Sequence, residues 1–403
     1  MKFTQSKSGI PVLILPTDRK MAKVAIFINA GSMLETHTRG LAHFFEHLMF
    51  KGTPTRTPLE VIQQVEIMGA DSNAYTSKGI TSYYMLGLNE HLERCMEILG
   101  DMTQNALFRP EDVENEKSIV IQEIHQSNDE IDSVCWDLFE DLCYDASTAV
   151  GAPVLGTEKS VSLLTTQDCL DFRSKYYVKN NVCVAVSSAL KPKKILEMVD
   201  QYFGNMHVGV KQTFPNVTRL APSRKYLKTP KFSQSCVYMG WPVEDPYMGK
   251  SEIQYIISEW MGGGMSSPLF QTVREKLGLA YQVGSTIHYT RDFGDMIFYS
   301  KCEGNKHDVV IDAMLSVLHD VLKNPNSLDF ERAKNHRLVR LSQMMDNPIR
   351  QMETHINRIF MDKDPLDLEK VRKDVLNLKQ NQVLEHLETL VSVDPTIAVV
   401  CPE

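Results

Sequence analysis

The sequence predicts an α+β chain built as two similar halves, and three observations carry that expectation. At 403 residues the chain exceeds the size at which one hydrophobic core usually stops growing, so two domains of roughly 200 residues are expected. A strand-then-helix order recurs past the midpoint. "FSQSCVYMGWPVEDPYMGKSEIQYIISEWMGG" follows the order of "KVAIFINAGSMLETHTRGLAHFFEHLMF", and "DMIFYSKCEGNKHDVVIDAMLSVLHDVL" follows that of "SYYMLGLNEHLERCMEILGDMTQNAL". Between them, residues 205–230 hold three prolines, several lysines and arginines and no sustained period, which reads as a linker. The expected domains are therefore 1–204 and 231–403.

Taken in order, "VLIL" and "KVAIFINAG" have strand character, and the next stretch switches to helical spacing with Leu41, Phe44, Phe45, Leu48 and Met49 apolar. "DSNAYTSKGITSYYMLGL" reads as two extended segments broken near Lys78 and Gly79. "NEHLERCMEILGDMTQNAL" reads as an amphipathic helix started by Asn89. Helices are expected at "RPEDVENEKSIVIQEIHQ" and "DSVCWDLFEDLCY", and the first half closes with helix, strand and helix at "TTQDCLDFRSKYY", "NVCVAVSSAL" and "PKKILEMVDQYFG".

Composition sets outer limits. With 43% hydrophobic and 23% charged residues the chain is ordinary for a soluble globular protein. A formal charge of -8 and a pI near 5.9 argue against nucleic acid or an anionic membrane as the main partner. The eight cysteines include no C-x-x-C pair and several sit in apolar runs, as suits reduced, buried thiols in a cytosol-like compartment. The apolar run "PVLILP" near the start is too short for a signal-peptide core or a membrane span, so a cytoplasmic location is expected.

The segment "GLAHFFEHLMFKGT", residues 40–53, carries the chemistry. On a helix His43 and His47 lie one above the other and can aim both imidazoles at one divalent cation. Glu46 lies close enough to that face to reach a water at an open coordination position. The pattern His-x-x-Glu-His is the reversed form of the His-Glu-x-x-His zinc motif. Neutral imidazoles suit zinc, and the third protein ligand at such a site is commonly a carboxylate. "ENEKSIVIQEIHQ" offers two, Glu116 and Glu123, seven residues apart on one helical face. Chance alone would place the five-residue pattern in roughly one chain in forty of this length. His91, His125 and His319 show no ligand spacing, and the second half carries no histidine at the corresponding stretch "IQYIISEWM".

At these residues the chain resembles the pitrilysin-type inverzincin zinc peptidases, the family of insulin-degrading enzyme and the mitochondrial processing peptidase. Further matches are "GADSNAYTSKGITSYY", "PVLGT" at 153–157 and "SSPLFQTVREKLGLAYQVGS" at 266–285, so the resemblance spans most of the chain. It implies two similar α/β-sandwich domains, each a mostly antiparallel sheet packed with helices, together forming half of a clamshell. It further implies one zinc ion per chain on His43, His47 and Glu123, with Glu46 as general base and Glu116 orienting a ligand. Asn73 and Ala74 would pair with the backbone of an extended peptide. Arg274 and Tyr281 would position substrate and stabilise the oxyanion, reaching the zinc of a second copy in a homodimer.

Two departures stand out: Met33 occupies a position where the family often has arginine, and "DASTAVGAPVLGT" lacks the usual His-Pro ahead of its glycine. The expected activity is zinc-dependent endopeptidase action on peptides or unfolded protein segments in an enclosed dimeric chamber. The alternatives are a noncatalytic peptidase-like binding or scaffold subunit and a half-active chain needing a different partner.

Overall fold

The computed structural model describes residues 1–36, 38–244, 251–291 and 293–403. These residues form two compact units. The first comprises Met1–Ile124, Pro153–Asn216 and Asn347–Pro365, and the second His125–Ala152, Val217–Asp346 and Leu366–Glu403.

The first unit is built on a six-stranded sheet of β1 (Lys2–Gln5), β2 (Pro11–Pro16), β3 (Met21–Ile28), β4 (Asp71–Thr76), β5 (Thr81–Leu88) and β6 (Val182–Ser188). Strand order is β1-β2-β6-β3-β5-β4, and every neighbouring pair is antiparallel except β2 with β6. The sheet is apolar on both faces. Because side chains alternate along a strand, Val12, Ile14, Val24 and Ile26 face one helical layer while Leu13, Leu15, Ala25 and Phe27 face another. The first layer contains α1 (Leu41–Leu48), α2 (Pro58–Glu66), α3 (Leu92–Asn105) and α4 (Pro110–Asp129), with helices Thr166–Tyr176 and Pro192–Phe203. The second layer is the helix Pro348–Phe360, through Met352, Ile356, Ile359 and Phe360.

The second unit repeats the plan with five strands in the order β7-β11-β8-β10-β9, namely β7 (Arg224–Lys228), β8 (Gln234–Val243), β9 (Ala280–Thr290), β10 (Phe293–Glu303) and β11 (Thr396–Cys401). Again only one pair, β7 with β11, is parallel. Helix α5 (Ile131–Tyr144) packs on β8 and β11. Helices Ser251–Gly262, His307–Lys323 and Ser327–Asp346 contribute to the main core.

Three expectations change. The compact units are not the contiguous stretches 1–204 and 231–403: α5 goes with the second sheet and Pro348–Phe360 with the first. Each sheet has two apolar faces to cover, and helical periodicity tells which face of a helix is greasy but not which sheet it will cover. The stretch 205–230 contains β7, all of it exposed, whose partner β11 lies at the far end of the chain. Asn89 does not cap α3; its side chain donates to the carbonyls of Arg19 and Lys20 and accepts from Ser188 and Ala189. All eight cysteines are unpaired and buried. Among the described residues no helix is long and apolar enough to cross a membrane.

Candidate metal centre

The centre is assembled where α1 meets α4 beside β4. Helix α1 buries Leu41, Ala42, Phe44, Phe45 and Leu48. The Phe45 ring lies 4.8 to 5.1 Å from those of Phe108, Phe172 and Tyr177, a burial contributing about 2–3 kcal/mol toward holding the helix in place. Gly40 precedes α1 with φ of 84°, a left-handed conformation that favours glycine. A Cβ there would lie 2.5 Å from the Leu155 carbonyl oxygen, and Gly156, at φ 73°, backs onto Gly40 in the same way. The close approach of these two glycines explains the glycine of "PVLGT".

His43 and His47 lie one turn apart on the remaining face of α1, their rings meeting edge to face with centroids 4.7 Å apart. Helix α4 turns Val113, Glu116, Val120 and Ile124 inward, and Glu123 stands beside the imidazoles. Glu123 Oε2 is 3.7 Å from His43 Nε2 and 3.4 Å from His47 Nε2. Two donors bonded tetrahedrally to one zinc sit about 3.3 Å apart, so this spacing fits the ion closely. One ligand atom from each of the three residues lies within 4.8 Å of the others, the only such group among the described residues. The donor set, two imidazoles and one carboxylate, suits zinc and leaves a fourth position open.

Around these three, other side chains fix orientation and charge. Glu116, 3% exposed, accepts from His47 Nδ1 at 2.8 Å and pairs with Lys51. A proton on Nδ1 leaves Nε2 as the acceptor nitrogen facing Glu123. Burial, together with neighbouring His47, pulls His43 down to about 4, so the ring is neutral near pH 7, as a ligand must be. Burial also works against a charged His47, but the Glu116 hydrogen bond and the charges of Glu123, Glu116 and Glu46 outweigh it and raise its pKa. For Glu116 burial pushes upward, yet the hydrogen bonds from His47 and Lys51 hold the carboxyl below its ordinary range. Glu46, 9% exposed, is raised chiefly by burial, while Thr76 Oγ1, donating to its Oε2 at 2.6 Å, opposes the shift.

The sequence of the whole chain agrees with relatives of one kind. The family model for insulinase (peptidase family M16) matches residues 12–158, and that for the peptidase M16 inactive domain matches residues 164–336. An uncharacterized zinc protease of Mycobacterium leprae is 32% identical over 76% of this chain and 70% of its own length. The chain belongs to the insulinase family. An uncharacterized zinc protease of Rickettsia felis is 27% identical over 99% of this chain and 97% of its own. A crystal structure of a protease from Helicobacter pylori has the same fold, with a TM-score of 0.90 at 18% identity, covering 100% of this chain and 99% of that one. So does a chain of complex III2 from Candida albicans, at 0.86 and 16%, covering 99% and 95%.

In this insulinase-family chain the other sequence-predicted residues fall as follows. Asn73 and Ala74 lie on β4, the outermost strand of the first sheet, and the Asn73 side-chain oxygen accepts from the Ala74 backbone N–H at 2.8 Å. Arg274 and Tyr281 belong to the second unit, where the Arg274 guanidinium lies over the Phe270 ring at 4.6 Å and the Tyr281 ring at 4.9 Å. Tyr281 is 79% exposed. Sequence reasoning missed Thr76 and Lys51. The signal for Lys51 was its place four residues after His47 on a continuing helical turn; for Thr76 there was none, because it reaches Glu46 across 30 residues.

Proposed function

We propose that this chain is a zinc-dependent endopeptidase that cuts extended peptides or unfolded protein segments. The observation that carries the reading is the convergence of His43, His47 and Glu123 with a buried, hydrogen-bonded Glu46 at their side. His43, His47 and Glu123 would hold the zinc, with Glu116 fixing the His47 ring. When bound, the ion supplies a more acidic water and polarises the carbonyl to be attacked.

Glu46 does the proton work. Thr76 fixes one carboxylate oxygen and leaves the other to accept a proton as water adds to the scissile carbonyl carbon. The same carboxyl then gives that proton to the amine nitrogen as the C–N bond breaks. A pKa raised by burial suits a group that must both take and return a proton. The free edge of β4 would receive the substrate backbone, with the Ala74 N–H turning from the Asn73 side chain to a substrate carbonyl. Main-chain pairing demands an extended peptide and reads side chains loosely.

Arg274, half-buried with its guanidinium over the ring of exposed Tyr281, would serve with it the zinc site of a second copy, so that a homodimer of half-clamshell chains encloses two composite sites. Eight unpaired, buried thiols support a cytosol-like compartment. Since one fold hosts many functions, activity has to be tested at the site. Hydrolysis of fluorogenic peptides is measured for wild type and Glu46→Gln, with and without chelator, alongside metal content. Glu46→Gln is expected to retain zinc and lose cleavage by about 10²-fold or more. A zinc-loaded wild type that cuts no peptide refutes the reading and leaves a binding or scaffold role.

A further inference from the structure

We propose that Glu35 is a positioning residue for the metal centre: its buried carboxylate fixes the start of α1 while the loop that carries it fixes the end of β4. The inference rests on the reading of His43, His47 and Glu123 as zinc ligands. Helix α1 has only eight residues, and Gly40 ahead of it has no side chain with which to cap it. Its first amides therefore need an acceptor from elsewhere. Glu35 supplies two, with Oε2 accepting from Gly40 N at 2.9 Å and Oε1 from Ala42 N at 2.7 Å. The Ala42 amide directly precedes His43. Glu35 is 6% exposed, and burial raises its carboxyl to about 7, while the Ala42 and Gly40 amides, the charges of Arg39 and Lys78 and the helix start itself favour its charged form.

The same short segment grips the substrate side. Ser32 N donates to the Ser77 carbonyl at 3.1 Å and Met33 N to the Lys78 carbonyl at 2.9 Å. Gly31 lies so close that a Cβ would stand 2.2 Å from the Ser77 oxygen. Ser77 follows Thr76, the residue that holds Glu46. Tyr176 OH donates to the Leu34 carbonyl at 3.1 Å and Arg39 Nη1 to the Glu35 carbonyl at 2.8 Å, which stiffens the segment further. Residues 31–35 thus join the end of β4 to the start of α1, and the spacing between Thr76 and Glu46 depends on both joints. The geometry calls for a carboxylate. Glutamine offers one acceptor oxygen and turns an N–H toward a second backbone N–H, while aspartate is one methylene too short.

The test compares wild type, Glu35→Gln and Glu35→Asp in the full chain. The readouts are zinc affinity by chelator competition, the visible absorption of the cobalt(II)-substituted protein, and kcat and KM for a fluorogenic peptide. Glu35→Gln is expected to bind zinc about tenfold or more weakly, within the range for groups supporting metal ligands, and to shift the cobalt spectrum. A larger fall in kcat than rise in KM is expected as well. A purely structural role would lower the unfolding temperature and leave both metal readouts of the folded variant unchanged; zinc affinity within twofold of wild type overturns the proposal. Should the variants not fold, hydrogen exchange in wild type decides. Amides of residues 40–48 are expected to exchange as slowly as those of β3, and exchange typical of a frayed end overturns it. A wild type that takes up no zinc sinks the metal-centre reading itself, whereas an unaffected Glu35→Gln sinks only this inference.

Discussion

Replacing Glu116 probes the centre without removing any of its three proposed zinc ligands. Its carboxylate accepts from His47 Nδ1 at 2.8 Å, pairs with Lys51 and is 3% exposed. In Glu116→Ala the Nδ1–H loses its acceptor and the ring its anchor. The imidazole is then free to rotate, which takes Nε2 from its place opposite Glu123, or to change tautomer, which protonates Nε2 and removes the lone pair a metal needs. A hydrogen bond to a charged group contributes about 1.5–3 kcal/mol, and loss of such support typically weakens metal binding about 10- to 100-fold, or about 1.4–2.7 kcal/mol. The two ranges agree, which places Glu116→Ala toward the upper end. Glu116→Gln keeps an acceptor for Nδ1 but loses the charge, so a loss of about tenfold is expected. Chelator competition on purified apo protein measures both. Zinc affinity within twofold of wild type in a folded Glu116→Ala chain would refute the role, because the ligand ring would then be held by something else.

Two further outcomes follow from the structure. Lys23 is buried in the first sheet over the Tyr84 ring, at 3.9 Å, and burial pulls its pKa down to about 7 against the pull of Glu353. Above about pH 7 the unfolded chain, with a lysine pKa near 10.4, binds more protons than the fold does, so the cost of burying the charged lysine is constant below about pH 7 and is relieved progressively between about pH 7 and 10.4. Lys23→Met is expected to abolish that pH dependence, gaining on wild type most at pH 6 and less at pH 9; denaturant midpoints at both pH values check it, and a constant difference contradicts it. For the assembly, mixing Glu46→Gln with Arg274→Ala chains is expected to restore peptide cleavage through heterodimers, each variant alone being inactive. No recovery despite confirmed mixing would argue against shared sites.

Much of the centre was legible because its signals are local. Imidazoles four apart on α1 and carboxylates seven apart on α4 each follow from helical repeat, and apolar residues on the other faces tell which sides are buried. What periodicity does not carry is the identity of the partner across space. Glu35 was not singled out by the sequence, because the backbone amides it binds leave no mark there. Asn89 was expected to cap a helix and instead joins two loops, since its side chain can satisfy either role. The exchange of α5 and Pro348–Phe360 between the units escaped for the same reason, as did β7, whose pairing with β11 is set at the end of the chain.

The second unit shows how specific the metal chemistry is to side chains rather than to fold. There too a shorter helix, Ser251–Gly262, lies against a longer one, Ser327–Asp346, but the charges are reversed. Acids stand on the shorter helix and bases on the longer. Glu252 meets Arg337 through two bonds of 2.7 Å, and Glu259 pairs with Arg340 and lies 3.5 Å from His336 Nδ1. Opposed carboxylates and guanidiniums neutralise each other, and the arginines, which only donate, engage carboxylate lone pairs that would otherwise face a cation. Where α1 and α4 leave two imidazole nitrogens and an acid facing a common point, this pair closes on itself. Packing such helices on a sheet therefore demands only that the polar groups between them be satisfied, and a metal site is one of several ways to meet that demand. That the described residues hold a single candidate metal centre follows from which side chains fill the interface, and grafting histidines alone into Ser251–Gly262 would leave Arg337 and Arg340 repelling any ion brought there.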